Sequence, residues 1–489
     1  MQLLTRPILK YLFITSISII ISSCSLGPNV ITPQQRSERI HKDFHAMFSR
    51  QEAIKGSLNI YQAMARAIKY NLDIRVKSME EAFSLVGVKY ARATMLPSIV
   101  GTAGYTTRDN SFSVLSPTNP GVISTTEDRT QREANLQFSW NVLDFGISYV
   151  ESKQKADLYL ISQERKRKII QQVIRDTRYA YWRAWAAQQL LGEVKPFRNE
   201  IRLAIRQSEK ASDEKLISPA QAAYYRAELW QTYGEMSTLE AQLIKAKPEL
   251  MAMINARPNS KVTLKQPLLS NSPLPKGFPK RTTELQTMAL HDRPELREED
   301  YRYRISLNEI NKAWGKMFPN ISINSGLNYD SNSFLVNNTW SDFGAQLAWD
   351  ILRIYTKYQG VKVAKAESDV AVLRRMALSM AIITQVKIAE LRYNQAVTDL
   401  KIARNLKENR YQYFYHVNNE QKANLTDELT MINAKARWYL AKLIYYLAYA
   451  EWRNAGGQLL DSVGYDPLYS ITSLNVSVNT LSRQIKRSL

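Results

Sequence analysis

The amino-acid sequence predicts a mainly α-helical chain with a small β part, in which a helix–strand–strand–helix plan is used twice. Three observations predict it. Long stretches have helical period and few breakers, since the 489 residues include only 17 Gly and 17 Pro. Four short segments alternate apolar and polar side chains at the period of a strand. The second half repeats the first at a nearly constant offset, which marks internal duplication.

The chain opens with Arg6 and Lys10, then an apolar run through Phe13, Ile14 and Ile17 to Ile21, which is the pattern of an export signal over residues 1–23. The run ends in Ile21-Ser22-Ser23-Cys24, and Cys24 is the only cysteine. This motif is similar to a bacterial lipobox, so Cys24 is expected to be lipidated and to begin a lipid-anchored tether over 24–56. Ser25 after it, in place of Asp, favours sorting to the outer membrane. A single cysteine excludes a disulfide framework. No later run is apolar over the ~20 residues that a transmembrane helix needs, which excludes a multi-span helical transporter.

Net charge is +21. An exported lipoprotein does not meet nucleic acid, and the basic residues are spread along helices. They read as a solvated helix surface, or as an attraction to anionic lipid phosphates or acidic partners. The four histidines are His41, His45, His291 and His416, and none stands in a metal-ligand or catalytic pattern. No phosphate-binding glycine loop or Gly-x-Ser-x-Gly elbow is present, so an enzyme is not expected and neither is a cofactor.

The repeat is read by alignment. Ala67 to Arg75 (AIKYNLDIR) faces Ala289 to Arg297 (ALHDRPELR) at an offset of 222. The offset persists through Leu96-Pro97 against Phe318-Pro319 and then falls to 209, where Leu136 to Leu143 (LQFSWNVL) faces Ala345 to Leu352 (AQLAWDIL). Each half begins with a helix of about 35 residues that ends at Pro97 or Pro319, because proline cannot continue it. Two strands follow, then a very long helix near 147–211 or 355–415, a reversal, and a returning helix near 221–255 or 427–455. In the second long helix Leu373, Met376, Met380, Ile383, Val386, Ala389, Tyr393, Ala396, Val397 and Leu400 form a narrow coiled-coil seam. Pro196 should kink or break the first. The repeats occupy 57–256 and 282–457. A proline-rich linker at 257–281 joins them, and a tail at 458–489 is loose or packs on the outside.

The strands are expected at about 98–107, 134–143, 320–329 and 343–352. Leu136, Phe138 and Trp140 share one face of the second, and Leu347 and Trp349 share one face of the fourth. Ten residues is the length of a tilted barrel strand that crosses a bilayer. Four strands cannot close a membrane barrel, whose smallest forms have about eight, and an open edge is not tolerated in lipid. If the strands span a membrane, several copies of the chain share one barrel with a water-filled interior. A soluble two-layer sheet gives the same alternation, provided that something covers the apolar faces.

The duplicated plan, the Asn-Leu-Asp and Arg-Pro-Glu-Leu helix starts, the Leu-Pro and Phe-Pro strand entries, and Ser139 to Gly146 (SWNVLDFG) resemble the TolC-like outer-membrane efflux proteins over roughly residues 57–457. With the lipobox, the chain is most similar to the lipidated branch that serves resistance-nodulation-division-type pumps. The resemblance implies a homotrimer with a long coiled-coil α-barrel and a shared 12-stranded β-barrel. It implies a passive exit duct for drugs or other small molecules, with a large periplasmic part, opened at its tip by a periplasmic adaptor and an inner-membrane pump. An exit duct for type I protein secretion, or a pore-free coiled-coil lipoprotein, stays open as an alternative.

In that family the returning helix commonly begins with Gly, a hydroxyl residue and an acid that rings the aperture. Here Asn424-Leu425-Thr426-Asp427-Glu428 places Asp427 at the acid, where three copies would form a carboxylate ring. The same residues also read as a plain helix start, with Thr426 as N-cap and Asp427 and Glu428 complementing the helix dipole. The first reversal, Lys215 to Gln221, departs from the pattern: Lys215 replaces the Gly and Gln221 the acid. Ser218 is its expected N-cap ahead of Pro219, and Asp213 and Glu214 could replace the charge.

Overall fold

The computed structural model describes residues 30–49, 51–115, 121–214, 218–266, 273–275, 277–466 and 476–488. The signal and Cys24 lie outside the described residues. The chain divides into two units between Ala53 and Ile54. The first contains helix α1 (Pro33–Phe48), which begins at a capping box formed by Thr32 and Gln35.

The second unit runs β1 (Ser57–Leu58), α2 (Ile60–Tyr70), α3 (Leu72–Ala93), β2 (Ser98–Thr107), β3 (Phe112–Leu115), β4 (Ile123–Glu127), β5 (Thr130–Asn141), α4 (Val142–Asp213) and α5 (Pro219–Met253). It continues with β6 (Thr263–Leu264), α6 (Thr282–Asp292), α7 (Pro294–Gly315), β7 (Asn320–Asp330), β8 (Thr339–Ala348), α8 (Ile354–Lys422), α9 (Glu428–Ser462) and α10 (Val478–Ser488). The duplication is visible in element lengths. The outgoing helices α4 and α8 have 72 and 69 residues, and the returning helices α5 and α9 have 35 each. At ~1.5 Å per residue the long helices reach roughly 100 Å.

The single entry helix expected in each half is two helices. The break falls at Asn71 and Arg293, which stand at the repeat offset and share one backbone conformation (φ −60°, ψ 131° and φ −68°, ψ 129°). The causes differ. Asn71 turns its side-chain oxygen to the backbone N–H groups of Asp73 and Ile74 and starts α3 as its N-cap. Arg293 precedes Pro294, whose ring excludes the helical conformation from the residue before it.

Pro196 does not break α4, which runs through it. Pro196 and Gly192, whose carbonyl loses its partner, are both exposed, so water can take that bond, while Val194 and Phe197 are fully buried and hold the helix in place. The proline-rich linker is pinned rather than loose where it is described. β6 pairs in parallel with β1. Gln188 on α4 binds both backbone groups of Leu264 (2.8 and 3.0 Å), and the Tyr181 hydroxyl lies 2.8 and 2.6 Å from the carbonyls of Leu58 and Lys265. Burial drives the Tyr181 phenol well above its usual pKa. In the tail, Val478, Leu481 and Ile485 of α10 pack on Met64, Ile68 and Tyr70.

The main core lies where α4, α5 and α9 meet, around Trp182, Trp185, Leu190, Phe197, Met236 and Tyr449. Beyond it, α4 and α7 are joined by a ladder of ion pairs: Lys312–Glu151 (3.4 Å), Arg304–Asp157, Arg297–Glu164 (3.0 Å), Arg165–Glu298 (2.6 Å) and Lys168–Glu295 (3.3 Å). Each partly exposed pair stabilises by ~1 kcal/mol or less, but together they fix an antiparallel register. The predicted seam of α8 is buried at Val386, Ala389, Ala396 and Leu400, whereas Leu373, Met376 and Met380 are exposed.

α9 ends at Gly464 (φ +73°), whose N–H and that of Tyr465 close the helix on Asp461 and Leu460. An added Cβ would lie 2.6 Å from the backbone carbon of Asp292. Gly464→Ala therefore combines left-handed strain with a backbone clash and is expected to cost on the order of 3 kcal/mol. Thermal melting of the purified protein should show a clear drop, whereas Gly87→Ala, in open space on α3, should not lower the melting temperature.

Candidate functional site

The four long strands form one antiparallel sheet in the order β2-β5-β7-β8. Its register decides which side chains share a face. Ile99 pairs with Phe138, which pairs with Ser325, which pairs with Phe343. Leu136 pairs with Leu327, Trp140 with Ile323, and Ile321 with Leu347. One face therefore carries Ile99, Leu136, Phe138, Trp140, Leu327, Phe343 and Leu347. The other carries Asn135, Gln137, Ser139, Asn324, Asn328 and Asp342, with Val100 and Trp340 as its apolar exceptions.

Among the described residues, no element covers the apolar face. Phe343 is 76% exposed, Ile99 67%, Leu347 63% and Leu327 61%. A two-layer soluble sheet would bury these side chains, and a contiguous apolar surface of this kind marks an interaction face. Both edge strands, β2 and β8, leave one row of backbone groups unpaired. Among the described residues, no helix is long and apolar enough to cross a membrane.

The fourth strand is displaced from its expected span. β8 covers Thr339–Ala348, so Trp349 lies beyond it, with its indole N–H donating to the Met317 carbonyl (3.3 Å). β5 likewise stops at Asn141. The cause is the same in both halves. Asn141 accepts from the N–H of Asp144 (3.0 Å), and Asp350 accepts from that of Arg353 (3.2 Å). These side chains end the strand and open the turn into the long helix. The apolar–polar alternation continues past them, which is why the sequence reads on as strand. The hairpin of β3 and β4 extends the first β2–β5 connection. Asp128 in it accepts from the N–H of Ser333 (2.6 Å) and ties the two halves at that end.

At the opposite ends of the long helices, the two reversals lie together. Ser218 caps α5 as expected, accepting from the N–H of Gln221 (3.2 Å), with Pro219 as the first helical residue. Lys215 to Ile217 lie outside the described residues. Asp213 is the last residue of α4 and Glu214 its C-cap, with Lys210 3.7 Å away. Both carboxylates sit at the negative end of the helix dipole, which disfavours their charge. In the second reversal the N-cap is Asp427, not Thr426. One carboxylate oxygen accepts from the Thr430 N–H (2.6 Å) and the other from its hydroxyl (3.1 Å), while Glu428 opens α9. Asn424 takes a left-handed conformation (φ +57°) to make the turn.

Tyr225 on α5 joins the two reversals. Burial raises its pKa to about 12, and the nearby Glu428 and Asp427 carboxylates add to the rise, while a hydrogen bond from the Leu429 backbone opposes it. Further along, Thr232 donates to Asn433 (2.9 Å) and Arg437 pairs with Glu235 (3.2 Å). The sequence gives no local sign of Tyr225, because its partners are some 200 residues away. Tyr233 and Tyr224 next to it look the same on paper.

Two helix stripes complete the surface. On α3, Val76, Met79, Phe83, Val86 and Tyr90 recur at heptad spacing, and all are more than half exposed. On α8, Val363, Val370, Leu373, Met376 and Met380 recur at three-, four- and seven-residue steps, and all but Val370 are more than half exposed. α3 precedes the β2 edge strand and α8 follows the β8 edge strand, so apolar stripes and open strand edges stand on the same two flanks of the protomer. No three His, Cys, Asp or Glu side chains converge as a metal site among the described residues.

Comparison with solved structures gives the class of fold. The chain is similar to the Campylobacter jejuni CmeC outer membrane channel, with a TM-score of 0.68 and 14% identity, covering 90% of this chain and 93% of that one. It is similar to the outer-membrane channel OprN (TM-score 0.66, 16% identity, 83% and 90% covered). It is also similar to the open state of the Neisseria gonorrhoeae MtrE outer membrane channel (TM-score 0.64, 15% identity, 83% and 88% covered). No protein-family model and no curated protein sequence matches the chain. The protein thus has the TolC-like outer-membrane channel fold, with the helical and β parts that its sequence predicts.

Cap and charge at Asp427 can be separated. Asp427→Asn keeps the N-cap oxygen and removes the charge, whereas Asp427→Ala removes both and is expected to cost ~1 kcal/mol of helix stability. In single-channel recordings, cation block that is lost in both variants assigns the carboxylate to ion binding. Block retained in Asp427→Asn leaves it a helix cap.

Proposed function

We propose that the protein is the outer-membrane channel of a tripartite efflux system. Three copies place their four strands edge to edge in one 12-stranded barrel, and their long helices enclose a periplasmic conduit. The supporting observation is the sheet with two unpaired edges and an uncovered apolar face. In hydrocarbon every backbone polar group needs a partner, and further copies of the same edges supply them. The flanks are heterologous: the α3 and β2 side of one copy meets the β8 and α8 side of the next, and repetition of such a contact closes a ring.

The duct is passive. Its wet face of Asn, Gln and Ser lines a water-filled lumen for drugs or other small molecules. The reversals with Ser218, Gln221, Asp213, Glu214, Thr426, Asp427 and Glu428 form the periplasmic gate, on which an adaptor protein and an inner-membrane pump act. The lipid on Cys24, after removal of a signal at 1–23, adds a second anchor in the outer membrane. The repeats at 57–256 and 282–457 are the two halves of the channel, joined by the linker at 257–281.

Phe138→Asp and Phe343→Asp place a charge in the middle of the lipid-facing band, at a cost approaching ~2 kcal/mol per copy. Both should abolish trimers in detergent extracts and conductance in planar bilayers, whereas Gln137→Asp, on the lumen face, should assemble normally. Native mass spectrometry of the wild type should give a trimer. A monomeric or dimeric rod that needs no detergent would support the pore-free spacer instead. Cys24→Ala should lose its acyl mass and still insert, because anchor and barrel act independently.

A further inference from the structure

A groove of about 420 Å³ lies at the foot of the sheet, between the first turns of α4 and the end of α7. Val142 and Ile147 form one wall, Phe318 and Ile321 the other, and Gly146 and Gly315 leave its floor without side chains. Both glycines have ordinary negative φ and nothing within 4 Å of an added Cβ, so neither backbone strain nor close packing requires a glycine there. Their effect is to keep the groove open.

Three features of its position bear on the occupant. Ile321 pairs with Leu347 and so belongs to the apolar face of the sheet, which the groove continues without a break. The groove hangs from β5 and β7, the two central strands, one strand in from the β2 and β8 edges where another copy would sit. Aromatic side chains flank its lining residues in the chain. Trp140 meets Phe145 edge-on at 5.8 Å, and Phe318 and Trp314 are exposed, as in the aromatic girdle of a membrane boundary. The only cation on the wall, Lys312, is held by Glu309 (2.9 Å) and Glu151 (3.4 Å), so its charge is already matched.

We propose that this groove is a binding site for one acyl chain of a membrane glycerophospholipid, which it holds at the periplasmic boundary of the barrel without selecting the headgroup. The proposal rests on the reading of the sheet's apolar face as lipid-facing. A chain in the groove is withdrawn from water where the lipid-facing surface passes from strand to helix at the centre of the sheet, and each buried methylene stabilises the contact.

The test is native mass spectrometry of the full chain, extracted in mild detergent and then washed to strip bulk lipid. The wild type should retain one phospholipid mass per chain, and it should do so equally after reconstitution in phosphatidylethanolamine or phosphatidylglycerol vesicles. The double variant Gly146→Leu/Gly315→Leu fills the groove with better helix formers and should retain none. Equal retention by the variant overturns the site, as does a strong preference for one headgroup. Absence of the phospholipid mass from the wild type and its appearance in Cys24→Ala overturns the assignment to a membrane lipid, because the protein's own acyl chain would then fill the groove. Independently of any variant, a phospholipid with a diazirine in its acyl chain should label residues 142–150 and 311–321 of the wild type. Labelling confined to the strands would overturn the site while leaving the barrel intact. A wild-type protein that stays soluble would instead remove the channel reading, and this proposal with it.

Discussion

The backbone groups along two strand edges, Ser98–Thr107 and Thr339–Ala348, organise the rest of the molecule. Each presents a row of N–H and C=O groups with no strand partner among the described residues, and each is long and largely free of the charges that normally guard an edge. Such edges are stable only when paired. The entry and exit helices on the same two flanks carry their own uncovered apolar stripes, so the strand and helix parts make the same demand on a neighbour. In the proposed trimer a single interface geometry serves two solvents, hydrocarbon around the strands and water around the helices.

Within the protomer the two halves are held by different means. Around Trp182, Trp185 and Phe197 they share an aromatic core with α9. The α4–α7 pair relies on charged side chains instead, and the β1–β6 pair on one tyrosine hydroxyl and one glutamine amide. Asp461 illustrates how tightly the middle is packed. Burial raises its pKa to about 6, despite the nearby guanidinium groups of Arg175 (2.9 Å) and Arg178. Because the folded value exceeds that of the unfolded chain, this group stabilises the fold below about pH 4, and that contribution fades as pH rises through about 6.

Much of this was legible in the sequence. The duplication, the proline-stopped helices, the strand entries after Pro97 and Pro319, and the Ser218 cap all follow from local chemistry, and local chemistry is what a sequence displays. The misreadings have physical causes. Alternation says nothing about where Asn141 or Asp350 will turn a side chain back to the backbone. Asn71 looks like any polar surface residue until its cap is seen, although its alignment with the Arg293-Pro294 pair was a usable hint. Pro196 reads as a breaker because exposure of its freed carbonyl is a tertiary fact. At the reversals, the Ser218 cap is plain in the sequence, Thr426 reads as the cap that Asp427 provides, and Tyr225 leaves no local mark. The ion ladder does leave a mark in the sequence: its paired residue numbers sum to nearly the same value, as they must between antiparallel helices.

That ladder also has a direction. Near the sheet α4 supplies acids (Glu151, Asp157, Glu164) and α7 bases (Lys312, Arg304, Arg297), and beyond Glu164 the signs exchange, with Arg165 and Lys168 facing Glu298 and Glu295. Two smooth rods side by side can slide along their common axis with little resistance. A sign change part-way along works as a detent, because sliding by about two turns brings Arg165 towards Arg304 in one direction, or Glu298 towards Asp157 in the other, and sets like charges against each other. The upper helices are thereby locked lengthwise, and movement at the far ends has to be bending or rotation of the rods rather than a stroke along them.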